Sequence, residues 1–311
     1  MRALITGITG FAGNHLSDLL LRNNFEVYGI GTSDLFGNNK ARYYKIDILD
    51  AYRLKQKIKE IKPEFIFHLA GISSVKRCYD DPFLCDKINI TGTKNLLDSV
   101  RILNLNTKIL VAGSAEVYGV PKSLPIQESA ELSPRNPYAL SKKKQEDLCK
   151  GYMSKLQIII SRSFSHIGPG QEPVFVASDF AKQIAEIENG KEPVIKVGNL
   201  EAKRDFTDVR DIVRAYHLAL QKGIPGECYN ICSGEAYSIK KILNVLLSFS
   251  DVEIRAEQDS NKLRPTDIPV QLGDNTKFCK KTGWRPLIPL KKTLKDLIDY
   301  WREKINKSSV F

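Results

Sequence analysis

The sequence predicts an α/β protein built on a doubly wound parallel sheet, with a smaller C-terminal substrate-binding domain. Three observations predict it. Short apolar runs of strand length alternate with amphipathic stretches of helix length through the first half of the chain. A turn carrying Gly7, Gly10 and Gly13 joins the first such run to the first helix. After about Phe164 the pattern changes, and Pro, Gly and charged residues become frequent, as in Gly168-Pro169-Gly170 and Arg264-Pro265.

The elements follow in order. Ala3–Thr6 is the first strand, and His15–Asn23 lies in the first helix. Val27–Ile30 and Tyr43–Asp47 are the next two strands, followed by a helix over Tyr52–Ile61. Phe65–Leu69 is the fourth strand, Ile88–Leu103 a long helix, and Ile109–Ala112 the fifth strand. A helix over Ala139–Lys155 and a strand over Ile158–Ser161 close the series. Strands separated by helices cannot pair as hairpins, so the sheet is parallel and covered on both faces. Residues 1–164 form the nucleotide-binding domain and residues 165–311 the substrate domain. The helix Val209–Gln221 and the strand Cys228–Cys232 are expected to return to the main sheet, so a segment near 207–232 belongs with the first domain.

Composition excludes several classes. With 42% hydrophobic and 27% charged residues over 311 positions, the chain can bury a sizeable core and is not a disordered polymer. The N-terminus enters a strand at once, without the apolar stretch of a signal peptide, and no apolar run is long enough to span a bilayer. A cytoplasmic location without membrane contact is the expectation. The formal charge of +11 is spread over scattered lysines without interleaved aromatics. That argues against a nucleic-acid stripe and suits small anionic ligands. Six cysteines show no C-x-x-C pair, and with four histidines they make no metal-ligand spacing, so free thiols and no metal are expected.

Two groups of residues carry chemistry. Gly7, Thr9, Gly10, Phe11, Ala12 and Gly13 form a turn between strand and helix. Its glycines let backbone approach a pyrophosphate, and the helix N-terminus offers free N–H groups to that anion. Asp47 and Ile48 end the third strand, where an adenine would lie, and Leu69, Ala70 and Gly71 end the fourth, along the path of a dinucleotide. Tyr138 and Lys142 stand four residues apart on one helix face, behind the helix-starting pair Asn136-Pro137. A nearby ammonium is expected to lower the phenol pKa, so that Tyr138 can exchange a proton with a carbonyl or alcohol. Ser114 ends the fifth strand, where its hydroxyl can hold a substrate oxygen, and Glu116 follows two residues later.

T-G-x-x-G-x-x-G at residues 6–13, S-x-E-V-Y-G at 114–119 and N-P-Y-x-x-S-K at 136–142 together resemble the extended short-chain dehydrogenase/reductase family, over nearly the whole chain. The resemblance implies a Rossmann-type fold, a nicotinamide dinucleotide, a nucleotide-sugar substrate and a homodimer built on two long helices. It also implies a catalytic triad of Ser114, Tyr138 and Lys142. The segment Gly198–Phe206 is similar to one in members that dehydrate GDP-mannose and in the related members that reduce a GDP-linked 4-keto-6-deoxy sugar, and Arg162–Gln171 and Arg264–Pro269 are more similar to the reductases. They imply substrate contacts from Ser73, Ser114, Glu116, Ser165, Asn199, Arg204 and Arg264. Physically the two arginines are candidate forks for a diphosphate, though either alone could form a surface ion pair. Ser165 departs from the Asn that relatives often carry.

The implied reaction is reduction of the 4-keto group of a GDP-linked 4-keto-6-deoxy sugar. Glu116 stands where dehydratases of the family keep a base, so a GDP-mannose 4,6-dehydratase remains an alternative, as does a 4-epimerase. A non-enzymatic nucleotide sensor is disfavoured by the Tyr138/Lys142 pair. The second strand ends Gly31-Thr32-Ser33, with neither the acid that holds a ribose diol nor an arginine for a 2′-phosphate. Thr32 and Ser33 could accept either cofactor; NADP(H) is favoured and NAD(H) remains open.

Overall fold

Strand β1 (Arg2–Thr6) leads through the glycine turn into helix α1 (Phe11–Arg22), then β2 (Glu26–Gly31), β3 (Arg42–Lys45), α2 (Ala51–Ile61) and β4 (Phe65–His68). The computed structural model describes residues 1–34, 40–263 and 267–308. Two short helices follow, α3 (Val75–Asp80) and α4 (Pro82–Asp86), and run through a π-helical turn at Lys87–Thr91 into α5 (Gly92–Ile102). Next come β5 (Lys108–Ser114), a 3₁₀ turn at Ala115–Tyr118, α6 (Pro137–Lys150) and β6 (Gln157–Ser163).

The remaining chain builds β7 (Ser165–Ile167), α7 (Val176–Glu188), β8 (Val194–Val197), β9 (Lys203–Asp208), α8 (Val209–Lys222) and β10 (Cys228–Ile231). It ends with β11 (Ala236–Ser238), α9 (Ile239–Leu247), β12 (Arg255–Gln258), β13 (Val270–Gln271), α10 (Thr276–Thr282) and α11 (Leu290–Ser308).

Seven strands form one sheet in the order β10-β6-β5-β4-β1-β2-β3, and every pairing in it is parallel. Apolar residues cover both faces. Leu16, Leu20, Ile212, Tyr216 and Trp284 pack on one, and Leu54, Ile58, Leu96, Leu97 and Val100 on the other. A second core gathers Phe180, Ile184, Phe206, Leu243, Leu297 and Trp301 from α7, β9, α9 and α11. Although β10 follows the strands of that second unit in sequence, it pairs with β6 in the main sheet, and α8 packs beside α1.

Local chemistry sets the helix ends. Asp50, Ser74, Asp81, Asn136, Asp208 and Ser238 each cap a helix through a side-chain oxygen. Helix α1 starts at Phe11, ahead of the expected His15, because Gly10 is already its N-cap. Helix α6 stops at Lys150, with Gly151 as its C-cap, short of the expected Lys155. The expected helix over 88–103 is broken by the π turn that carries Asn89. The pair α3/α4 was not anticipated, because helices of six and five residues are too short for an apolar period to show.

The expectation of free cysteines is corrected at one place. Cys78 and Cys85 form a disulfide, while Cys149 and Cys232 are buried free thiols. Each of the pair lies on its own short helix, and it is the turn at Asp81 between them that brings the two sulfurs together.

One buried ion pair ties α6 to the sheet. Arg162 on β6 donates from Nε to Glu146 Oε1 at 3.0 Å and from Nη2 to Oε2 at 2.9 Å. Its Nη1 donates to the Tyr118 hydroxyl and to the Glu128 carbonyl, both at 2.9 Å. The side chains of Arg162 and Glu146 are 6% and 1% exposed, so neither charge is solvated. Glu146→Leu is expected to lower unfolding free energy by about 3–5 kcal/mol, because it strands a buried guanidinium. Adding Arg162→Met should recover most of the loss. Urea unfolding of the two variants checks this, and equal losses would contradict it.

Candidate active site

The carboxyl ends of β1, β2, β4 and β5 share one edge of the sheet, where ligands of such sheets bind. At the end of β1, Gly7 has φ +75°, and a Cβ there would stand 2.7 Å from the Ala70 amide nitrogen. A Cβ on Gly13 would collide with the Gly7 carbonyl oxygen. The turn is therefore packed backbone against backbone, with Gly13 needed for its shape. Gly10 is different: the nearest atom to an added Cβ is Gly7 O at 3.2 Å, and the rest is open.

No side chain caps α1. The amides of Phe11, Ala12 and Gly13 are among the first four of the helix, which lack intrahelical acceptors, and they fit an anion. Thr9 lies beside Gly31, whose added Cβ would be 3.0 Å from Thr9 Oγ1. Thr32 and Ser33 are exposed, and the Ser33 carbonyl accepts from the Tyr43 hydroxyl at 2.6 Å. Asp34, the first carboxylate after β2, pairs with Lys45. Asp47 is exposed, with its Oδ1 accepting from Leu49 N at 2.9 Å, and Ile48 is buried beside Gly92. Leu69 and Ala70 continue from β4, and the Ala70 amide donates to Thr6 Oγ1 at 3.3 Å. A Cβ on Gly71 would be 2.6 Å from Asn89 Oδ1 and 3.7 Å from Lys142 Nζ, so this edge leads from the turn to α6.

Tyr138 and Lys142 both lie on the buried face of α6. Asn136 Oδ1 caps that helix at Ala139 N (2.8 Å), and Asn136 Nδ2 donates to Glu116 Oε2 at 3.1 Å. One side chain thus fixes the start of α6 and the Glu116 carboxylate together. Ser114 Oγ accepts from the Glu116 amide at 3.2 Å and lies near enough to the Tyr138 phenol to act on its pKa. Ser114, Glu116 and Tyr138 therefore meet.

The expected effect of Lys142 on Tyr138 is not what this structure shows. Burial raises the Tyr138 pKa well above its usual value; Ser114 opposes the rise, and Glu116 and Tyr216 reinforce it. Lys142 Nζ instead donates to the Ala112 carbonyl (2.9 Å) and to Gln145 Oε1 (3.0 Å). Burial lowers its own pKa to about 8.

Residues that the sequence reading missed hold Lys142. Gln145 Nε2 donates to Thr93 Oγ1 (2.7 Å), which also bonds His68 Nε2 (2.9 Å), and His68 Nδ1 bonds Thr6 Oγ1 (2.7 Å). Burial, then the Lys142 charge, lowers the His68 pKa to about 3, so the imidazole is neutral. Asn89 donates to Ser141 Oγ at 2.9 Å and accepts from the Ile72 amide at 2.8 Å. The only signal for this chain was polar residues set inside apolar runs, His68 ending a strand and Asn89 and Thr93 one helical turn apart.

On the substrate side, Asn199 and Arg204 converge on Asp267. Asn199 Nδ2 donates to Asp267 Oδ2 at 2.8 Å, and Arg204 Nη2 pairs with Oδ1. Arg204 is buried rather than a surface fork, and its Nη1 also donates to the Lys203 and Ile268 carbonyls. Ser73 is exposed beyond Gly71, and Ser165 begins β7, opposite Phe206 of β9. Arg264 lies outside the described residues. Strand β7 and the loop after it lie against the start of α1: His166 of β7 stacks on Phe11 (centroids 6.0 Å apart), and His15 Nε2 bonds the Pro169 carbonyl of the loop at 2.8 Å. Among the described residues no group of three or more His, Cys, Asp or Glu could hold a metal ion, and no helix is long and apolar enough to cross a membrane.

The sheet order and the glycine turn make a dinucleotide-binding α/β fold, and the family that the chain matches makes it an NAD(P)-dependent enzyme acting on a sugar CH–OH or C=O of a nucleotide sugar. The chain belongs to the GDP-mannose 4,6 dehydratase family, whose model matches residues 4–297. It is 32% identical to GDP-6-deoxy-D-mannose reductase of Pseudomonas aeruginosa, over 98% of this chain and 99% of that protein. The solved structure of RMD from P. aeruginosa complexed with NADPH is similar with TM-score 0.85 at 30% identity, over 97% of this chain and 99% of the other. UDP-glucose 4-epimerase with UDP-glucose from Thermotoga maritima is similar with TM-score 0.88 at 28% identity, over 98% and 100%.

Two glycine variants separate shape from ligand. Gly10→Val should leave the fold intact and weaken dinucleotide binding by at least roughly ten-fold, because its branched side chain occupies the open N-terminus of α1. Gly13→Val should lower the melting temperature as well, since its Cβ meets backbone. Calorimetric titration with NADPH and NADH, alongside thermal melts, reads both. Undiminished affinity for both dinucleotides in Gly10→Val would move the phosphate site elsewhere.

Proposed function

We propose that the chain reduces the 4-keto group of GDP-4-keto-6-deoxy-D-mannose with NAD(P)H, giving GDP-D-rhamnose. The observation that carries this reading is the place of Tyr138: a buried phenol beside Ser114 at the carboxyl edge of the sheet, its pKa raised by burial. A reduction needs a proton donor at the alkoxide, and a raised pKa keeps the proton on Tyr138 at neutral pH. The end-to-end match to a GDP-6-deoxy-D-mannose reductase supports the substrate.

The dinucleotide supplies the hydride. The residues of the chain do the rest. The amides of Phe11, Ala12 and Gly13 hold the pyrophosphate. Ile48 and Asp47 flank the adenine, and Leu69–Gly71 line the path between. Lys142 donates to the nicotinamide ribose and is itself held by Ala112 O and Gln145. Tyr138 protonates the C4 oxygen while Ser114 holds it. Arg264 binds the diphosphate, while Arg204, its guanidinium held by Asp267 and by the Lys203 and Ile268 carbonyls, braces the chain that leads to it. NADP(H) is the favoured cofactor: β2 ends at Gly31 with no acid to hold a ribose diol, and Asp34, the first carboxylate after it, pairs through Oδ1 with Lys45.

Glu116 favours one second reading. A carboxylate bonded to Asn136 and next to Tyr138 is where a dehydratase would keep its base. Ala115 beside it offers no acid.

Tyr138→Phe should lower turnover by roughly 10²–10⁴-fold with the melting temperature nearly unchanged. In the native protein, 4-deuterated NADPH should place deuterium at C4 of a rhamno-configured product, read by NMR. Conversion of GDP-mannose to the 4-keto sugar without net cofactor use would establish the dehydratase instead.

Lys142 gives a pH dependence with a definite sign. Its folded pKa is depressed to about 8, so the ammonium is present below that pH and lost above it. The value of kcat/KM for the dinucleotide, which reports the free enzyme, should fall as pH rises through about 8. A profile flat to pH 9.5 would remove Lys142 from that role.

A further inference from the structure

Two cysteines that the proposed chemistry does not use sit against its proton donor. The bridged Cys78 and Cys85 are fully buried, in one cluster with Tyr138, Ile72 and Val75. Cys85 Sγ lies 3.5 Å from Ser141 Oγ and 3.6 Å from Asn89 Nδ2. Ser141 in turn donates to the Tyr138 carbonyl at 2.8 Å, and Asn89 bonds both the amide and the carbonyl of Ile72. The bridge therefore touches the groups that set where Tyr138 stands and where the wall after Gly71 runs. What covers it is thin. Residues 79–84 are exposed, Phe83 at 89%, and α3 and α4 have six and five residues. Helices that short do not persist without tertiary support.

We infer that the Cys78–Cys85 disulfide is a redox-controlled positioning element of the active site. Oxidised, it joins α3 to α4 and holds the Asn89–Ser141–Tyr138 contacts in register. Reduced, it lets the 72–86 segment open and slows proton transfer from Tyr138. The reductant is a dithiol. Its thiolate attacks one bridge sulfur, breaking the Cys78–Cys85 bond and forming a mixed disulfide; its second thiol then displaces the remaining cysteine. Two electrons and two protons end on Cys78 and Cys85, and the dithiol leaves as its cyclic disulfide. Neither sulfur is exposed, so attack proceeds through local opening of the short helices.

This inference rests on Tyr138 as the proton donor proposed above, and the experiment separates the two. The full chain is equilibrated with dithiothreitol or with its oxidised form, quenched in denaturant with iodoacetamide and weighed by mass spectrometry. The bridged protein should take four alkyl groups and the reduced one six. Steady-state reduction of the GDP-4-keto sugar is then measured in both forms. The six-thiol form should show kcat lower by roughly ten- to a hundred-fold, as for a misplaced reacting group, with KM for NADPH within about two-fold. Reoxidation should restore kcat, and Cys78→Ala should stay at the low rate under either treatment. Tyr138→Phe should lose the redox response, which a merely structural bridge would not require. Equal kcat in the two forms, or six alkyl groups before any reductant is added, overturns the inference. If neither form turns over the sugar, the proposed function has failed, and hydrogen exchange decides the bridge. Faster exchange at residues 72–91 and 138–141 in the six-thiol protein supports it, and unchanged exchange rejects it.

Discussion

The bidentate pair between Arg162 and Glu146 is the contact on which the site depends. Helix α6 carries Tyr138 and Lys142, but nothing in its own sequence says how deep or at what rotation it lies on the sheet. Glu146, one turn beyond Lys142, meets Arg162 on β6, which pairs in register with Gly113, the residue before Ser114 on β5. With both charges buried, sliding the helix by even a fraction of a turn would strand them in an apolar layer. The ion pair thus converts an electrostatic penalty into a position, and Ser114 of β5 faces Tyr138 as a result.

A second consequence of burial runs through the chemistry. The usual picture of a Tyr–Lys pair has the cation pulling the phenol toward ionisation. Here both groups are buried, and burial disfavours the charged form of each: the phenol is pushed up and the ammonium down. The opposed shifts leave Tyr138 protonated and Lys142 near its titration point, which suits donation of a proton more than its removal. Neutral His68, wedged between Thr6 and Thr93, relays the position of β1 to Lys142 without adding charge.

What was legible in the sequence was what is local. The glycine turn, the Tyr138/Lys142 spacing and the Asn136-Pro137 start of α6 are each set by residues within one turn or loop, so their chemistry shows at close range. The apolar periods located the strands of the main sheet for the same reason. The network behind Lys142 was not legible, because Thr6, His68, Thr93 and Gln145 meet only when β1, β4, α5 and α6 assemble. Nor was the fate of Arg204, whose partner Asp267 lies beyond the end of its own strand. The bridge between Cys78 and Cys85 went unread because it depends on two helices too short to announce themselves.

The route of the chain has an effect on how the molecule can come into being. Strand β6 ends at Ser163, and the strand that flanks it, β10, begins only at Cys228. During synthesis the first six strands emerge with β6 as an open edge, all but one of its seven residues destined for burial. That edge offers unpaired amides and carbonyls to any extended segment nearby until residue 231 has left the ribosome. Cutting the chain near residue 164 would free no self-sufficient nucleotide-binding half; it would leave a sheet missing its last strand and the helix that covers it.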